Sequence, residues 1–129
     1  MTSVRCLLDS TLLIDHANGN PAATALLQRL FEEGHDLYTC DVVTCEALSK
    51  GDAEQLAAMG TLLDALEFVA TSPEAARWAG ESRRLRHAAG RRRALGDALI
   101  AGAAASIGAT IVTRNHADFD LQGIPTITY

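Results

Sequence analysis

The chain is poor in several residues that small proteins use as staples or as sticky surfaces. Its three cysteines, Cys6, Cys40 and Cys45, are an odd number with no C-x-x-C spacing. That excludes a disulfide framework and a thiolate zinc site, and points to a reducing, cytoplasmic setting. Aromatic residues make up only 5% of the chain, too few for a surface that grips nucleic acid by stacking. Three prolines rule out collagen-like or proline-rich low-complexity sequence. Long apolar runs are also missing. Only Cys6, Leu7 and Leu8 separate Arg5 from Asp9, too short a stretch for a secretory signal. The longest uncharged span, Ala98 to Thr113, falls below membrane-spanning length and is interrupted by Gly108. With 11 basic and 16 acidic residues the net charge is −5, which excludes a globally basic protein that coats nucleic acid by counterion release alone.

A core is well supplied. The 129 residues are 48% hydrophobic, enough for one domain over residues 1–129 and too short for a second. Val4 to Leu8 reads as a strand buried on both faces, ending at Asp9. Ser10 to His16 reads as a short helix, broken by Asn18-Gly19-Asn20-Pro21. A second helix runs from Ala22 to Gly34, ahead of a strand at Leu37 to Thr39. Asp41 and Asp52 are expected to cap helices reaching about Lys50 and Leu66, and Leu66 to Ala70 reads as a third strand. Thr71-Ser72-Pro73-Glu74 starts a helix that becomes arginine-rich, and Gly96-Asp97 opens an alanine-rich helix to Gly108. Thr110 to Thr113 and Thr126 to Thr128 complete about five short strands. Strands alternating with helices predict an α/β fold with a mostly parallel sheet covered on both faces. Such sheets collect ligands at the carboxyl ends of their strands.

Acidic residues fall at those ends. Asp9 follows the first strand directly, with Ser10 and Thr11 beside it; the position suits a helix cap as well as a ligand. Glu46 lies among Val42, Val43, Cys45, Ala47 and Leu48, where helical geometry draws its carboxylate towards the core rim or leaves it on a solvated face. Asp97 begins a helix with no other charge, where the helix dipole also favours an acid. Asp118 and Asp120 lie in Thr113-Arg114-Asn115-His116-Ala117-Asp118-Phe119-Asp120, beyond another strand. Clustered carboxylates repel one another unless a cation neutralises them or a proton is shared. Mg²⁺ or Mn²⁺ suits such oxygen ligands, and the chemistry implied is phosphodiester hydrolysis. Arg77, Arg83, Arg84, Arg86, Arg91, Arg92 and Arg93 occupy seventeen positions that contain one acid, a local balance of +6 against −11 for the remainder. Arg91, Arg92 and Arg93, just upstream of Asp97, form a candidate phosphate track for RNA; the alternative is a solvated helix end. Arg114 is a further candidate phosphate contact, the alternative being that its stem packs on the sheet edge.

Taken in order and spacing, Leu7-Leu8-Asp9-Ser10-Thr11, Glu46, Gly96-Asp97-Ala98-Leu99-Ile100-Ala101 and Thr113-Arg114-Asn115 through Asp118-Phe119 resemble the PIN-domain ribonucleases. Within them the match is to the VapC-type toxins of bacterial toxin-antitoxin pairs, and it covers essentially the whole chain. The resemblance implies a single PIN-like domain that cleaves RNA with Mg²⁺ or Mn²⁺. Asp9 and Asp97 would be the principal ligands, with Glu46 in support. The family often places a fourth acid directly after the Thr-Arg pair, where this chain has Asn115. Asp118 is therefore the expected fourth acid, with Asn115 and Thr11 as contacts to water or metal. A homodimer and a VapB-like antitoxin are implied as well. Two other α/β readings compete. A receiver-like signalling domain needs a late lysine, whereas the only lysine is Lys50. A nucleotide-binding module needs a phosphate loop that is missing here. A noncatalytic partner-binding domain is the third alternative.

Overall fold

In a computed structural model, which describes residues 3–90 and 94–129, the first apolar run becomes β1 (Arg5–Leu8) with Cys6, Leu7 and Leu8 fully buried. The chain continues through α1 (Ser10–Ala17), α2 (Pro21–Glu32), β2 (Asp36–Cys40), α3 (Asp41–Ala47), α4 (Ala53–Asp64) and β3 (Glu67–Val69). Then follow α5 (Pro73–Ala88), α6 (Leu95–Ile107), β4 (Thr110–Val112), α7 (His116–Asp120) and β5 (Thr126–Ile127). Several starts follow from local chemistry. Asn20 accepts from the Ala22 and Ala23 amides with Pro21 behind it, Asp52 and Gln55 form a reciprocal capping box, and Ser72 caps α5 just before Pro73.

Three boundaries differ from expectation, one through a distant partner and two for local reasons. The cap of α3 is Cys40, and Asp41 is the first helical residue. Its carboxylate is turned to Thr71, accepting from that hydroxyl at 2.6 Å and that amide at 3.2 Å, which ties the start of α3 to the chain after β3. Burial opposes ionisation of Asp41, but the Thr71 and Val42 donors outweigh it and hold its pKa below the ordinary value. α3 ends at Ala47 rather than near Lys50, because the Ser49 amide slips to a three-residue bond on Glu46 and Gly51 turns the chain at φ +127°. α4 ends at Asp64 rather than Leu66, where the Ala65 and Leu66 amides likewise tighten onto Leu62 and Leu63.

The five strands lie in the order β3-β2-β1-β4-β5 with every pairing parallel, and seven helices are described around them. β1 to β2 to β3 step outward in one direction; the chain then crosses back to place β4 on the other side of β1. The order therefore reverses between β1 and β4. Right-handed crossovers put α1 to α4 over one face and α5 to α7 over the other. The central strands are apolar on both sides: Leu7, Leu8, Ile111 and Val112 are fully buried with Leu12, Leu13, Ile100 and Phe119. Each such aliphatic side chain stabilises the fold by roughly 1.5–3 kcal/mol. α6 is able to pack tightly against α5 because Gly102 has no side chain; a Cβ there would collide with the Ala75 carbonyl oxygen.

Candidate active site

The reversal point is where an open parallel sheet leaves a crevice at its carboxyl edge. Leu8 pairs with Val112, so the next residues on each strand, Asp9 and Thr113, meet there. The Asp9 amide is bound to Val112 at 2.9 Å and the Thr113 amide to Ile127 at 3.0 Å, which fixes both backbones. Asp9 caps α1 through Oδ1, which accepts from the Ser10 amide at 2.9 Å. Its other oxygen, Oδ2, accepts from the Thr113 hydroxyl at 2.7 Å and the Thr11 hydroxyl at 2.9 Å. Thr113 also accepts from the Asn115 amide at 2.9 Å, so its proton is directed at Asp9. Asp9 is thus at once the cap of α1 and the hub of the hydrogen bonds in this crevice.

Only 3% of Asp9 and none of Thr113 is exposed. Every donor to Asp9 among the described residues is neutral, and no described cationic side chain pairs with it. Neutral donors satisfy lone pairs but leave the charge in place, and a buried charge is costly without a counter-charge.

Glu46 stands beside this group. It is exposed on α3 rather than drawn into the core, while its neighbours Val43 and Ala47 take the buried positions. The Ser10 hydroxyl donates to Glu46 Oε1 at 3.1 Å. On the other side, a methyl group placed on Gly96 would lie 3.4 Å from Glu46 Oε2, so the first turn of α6 runs directly past this carboxylate. Asp97, the next residue, is half-buried in that first turn. Ser10 therefore links Asp9 to Glu46, and Gly96 lies beside Glu46 on its other side.

The remaining expected residues are distributed differently. Thr11 is committed to holding Asp9. Asn115 reaches the group through its amide. Asp118 is exposed on α7, and no described hydrogen bond or ion pair joins its carboxylate to Asp9 or Glu46. Arg114 lies against Asp15, one Nη nitrogen 3.0 Å from each carboxylate oxygen. Arg91, Arg92 and Arg93 fall outside the described residues. Sequence reasoning missed Ser10 and Thr113 as members of the group. The available signal was a hydroxyl residue within three positions of the end of a buried strand, the same signal that marked Thr11.

Among the described residues no three His, Cys, Asp or Glu side chains stand grouped as a ready-made metal cage. The donor chemistry nonetheless fits a hard divalent cation. The rim offers carboxylate and hydroxyl oxygens, and the buried charge of Asp9 has no other described counter-charge. Cys40, at the end of β2, is no competitor. Burial, partly opposed by the Val43 amide, raises its thiol to about 11, and the Asp41 charge adds to this, so it remains protonated near neutrality.

This combination of a parallel sheet with an acid at the reversal point and further acids on the flanking helices is matched by a known family. The PIN domain matches residues 6–122, and the chain belongs to that family. More narrowly, it is 30% identical over 115 residues to ribonuclease VapC19 of Mycobacterium tuberculosis, covering 89% of this chain and 92% of that protein. Its fold is similar to VapBC from Salmonella typhimurium, solved bound to DNA, with TM-score 0.84 and 23% identity over 97% of this chain and 98% of that one. It is also similar to VapBC2 from Rickettsia felis, solved with a fragment of promoter DNA, with TM-score 0.82 and 22% identity over 97% of this chain and 98% of that one. Membership in this family replaces the receiver-like and nucleotide-binding alternatives.

Proposed function

We propose that the chain is a divalent-metal-dependent endoribonuclease and the toxin of a toxin-antitoxin pair, with residues 1–129 acting as one nuclease domain. The observation that carries this reading is the buried Asp9 carboxylate, which receives only neutral donors among the described residues and is linked through Ser10 to Glu46, beside which Gly96 brings the start of α6. Asp9 and Asp97 would hold Mg²⁺ or Mn²⁺ with Glu46 in support, and Asp118 or Asn115 would complete the set. When bound, such an ion supplies positive charge to an anionic substrate and makes a coordinated water more acidic for attack on the phosphodiester.

The chain's own residues do the rest. Thr11 and Thr113 hold Asp9 in one orientation, and Ser10 sets the distance of Glu46 from it. Glu46 is exposed, which places a carboxylate able to accept a proton from water at the mouth of the crevice. Arg114 and the Arg91-to-Arg93 run supply phosphate contacts around an otherwise acidic rim. The relatives solved as VapBC complexes support an antitoxin partner of the VapB kind, and a homodimer agrees with the family. No helix among the described residues is long and apolar enough to cross a membrane.

The test is a titration of Mg²⁺ and of Mn²⁺ with wild type and Asp97→Asn, mapping cuts in a structured RNA. Wild type is expected to cut only with metal, and Asp97→Asn to need far more metal or not to cut at all. Equal metal response in the two proteins would overturn the assignment of Asp97.

A further inference from the structure

The hydrogen bonds around Asp9 continue outward to a second carboxylate. The Arg114 amide donates to the Thr11 hydroxyl at 3.3 Å, so the residue that holds Asp9 is itself held by the Arg114 backbone. The Arg114 side chain extends to Asp15 on α1, and the Tyr129 hydroxyl donates to Asp15 Oδ2 at 2.6 Å. Only 13% of the Asp15 side chain is exposed, against 55% for Arg114. A carboxylate this enclosed needs strong donors, and it has one cationic and one phenolic. Burial and then the Asp15 hydrogen bond push the Tyr129 phenol well above its ordinary pKa, so it stays a proton donor at any physiological pH.

The mode of engagement matters more than the pairing. A surface arginine meeting a carboxylate commonly commits both arms of its fork. Here both contacts come from a single Nη nitrogen, and the other Nη and Nε make no hydrogen bond to the described residues. Those two groups remain for a second anion, on a guanidinium already immobilised at one corner. Arg114 also lines the shallow depression formed with Asn115, His116, Ala117 and Asp118, next to the crevice. An arginine held in place loses less conformational freedom when a phosphate arrives than one waving in solvent.

We infer that Asp15 and Tyr129 are positioning residues, a brace that presents Arg114 as a fixed phosphate-binding fork at the edge of the Asp9 crevice. The inference rests on the nuclease reading. Neither brace residue touches the substrate; both act through Arg114.

The test compares steady-state cleavage of a structured RNA with Mn²⁺ by wild type, Asp15→Asn, Tyr129→Phe, Arg114→Ala and the double variant Asp15→Asn/Arg114→Ala. Asp15→Asn is expected to raise KM several-fold with kcat little changed. The sign is diagnostic, because removing a negative charge near an anionic substrate would otherwise lower KM. Tyr129→Phe should move KM the same way by less, and it carries the test alone if Asp15→Asn does not fold. In the Arg114→Ala background Asp15→Asn should add nothing. With an active wild type, unchanged or lowered KM in the single variants overturns the brace, as does a full additional loss in the double variant. An inactive wild type overturns the nuclease reading, and the brace falls with it.

Discussion

Asp9 and Asp120 are both aspartates beside the sheet edge, and the protein treats them in opposite ways. Asp120 is exposed at the end of α7, with His116 Nδ1 2.9 Å from Oδ2 and the Thr126 hydroxyl donating to Oδ1 at 2.7 Å. His116 and then Thr126 hold its carboxyl below the ordinary range. Its partners lie four and six residues away in sequence, and solvent screens what remains. Asp9 is buried and receives neutral donors, including one from a residue 104 positions distant. The contrast separates a carboxylate held by neighbours on its own segment from one held by groups that the sheet brings together. Local pairing suffices for the first. The second needs a whole sheet, because its hydroxyl donors, Thr11 and Thr113, come from opposite ends of the chain.

The contrast is open to direct attack. Asp9→Asn removes the charge while keeping the shape, and RNA cleavage should fall by more than about 100-fold, since even residues that merely orient metal ligands cost roughly 10–100-fold when lost. Circular dichroism should still show a folded chain, and Mn²⁺ should raise the melting temperature of wild type but not of the variant. Retained cleavage would mean that Asp9 is only a helix cap. Thr113→Val keeps side-chain shape but deletes the donor to Oδ2, and a loss of roughly 10–100-fold is expected in activity or metal affinity. A Thr113→Ser variant should recover most of it, and failure to do so would point to packing instead of the hydroxyl.

Asp120→Asn should leave cleavage unchanged and alter only the acid side of the stability profile, slightly. The Asp120 carboxyl has a lowered pKa in the folded protein. Its contribution is therefore complete above the ordinary carboxylate range and is lost as pH falls through the lowered value. Melting curves between neutral and acid pH should converge for wild type and variant at low pH. A large loss of cleavage would instead place Asp120 in the site and erase the distinction drawn from its surroundings.

The contrast also explains how much was readable in advance. Alternating strands and helices, the caps at Asn20, Asp52 and Ser72, and the buried first strand are written in residues a few positions apart. Asp9 was legible because a polar residue stopped an apolar run. Glu46 was legible as an acid in the helix after β2, but its solvent exposure was not, because that depends on how α3 sits against α1 and α6. Asp41 looked like a cap, and the hydroxyl that claims it, Thr71, lies 30 positions along the chain. Arg114 read as a candidate phosphate contact, and its tie to Asp15 spans 99 positions.

Apart from the short α7, element types, the sites where strands give way to acids, and the oxygen-only character of the donors were settled in the linear chain, since capping, turn chemistry and apolar periodicity operate within a turn or two of backbone. Which of those acids meet was settled by folding. The return of β4 to the side of β1 sets Thr113 beside Asp9, and the passage of α6 along α3 brings Gly96 to Glu46. Those encounters depend on sheet register and helix packing, which join residues with no local influence on one another, and burial then makes each one count by removing the water that would otherwise screen it.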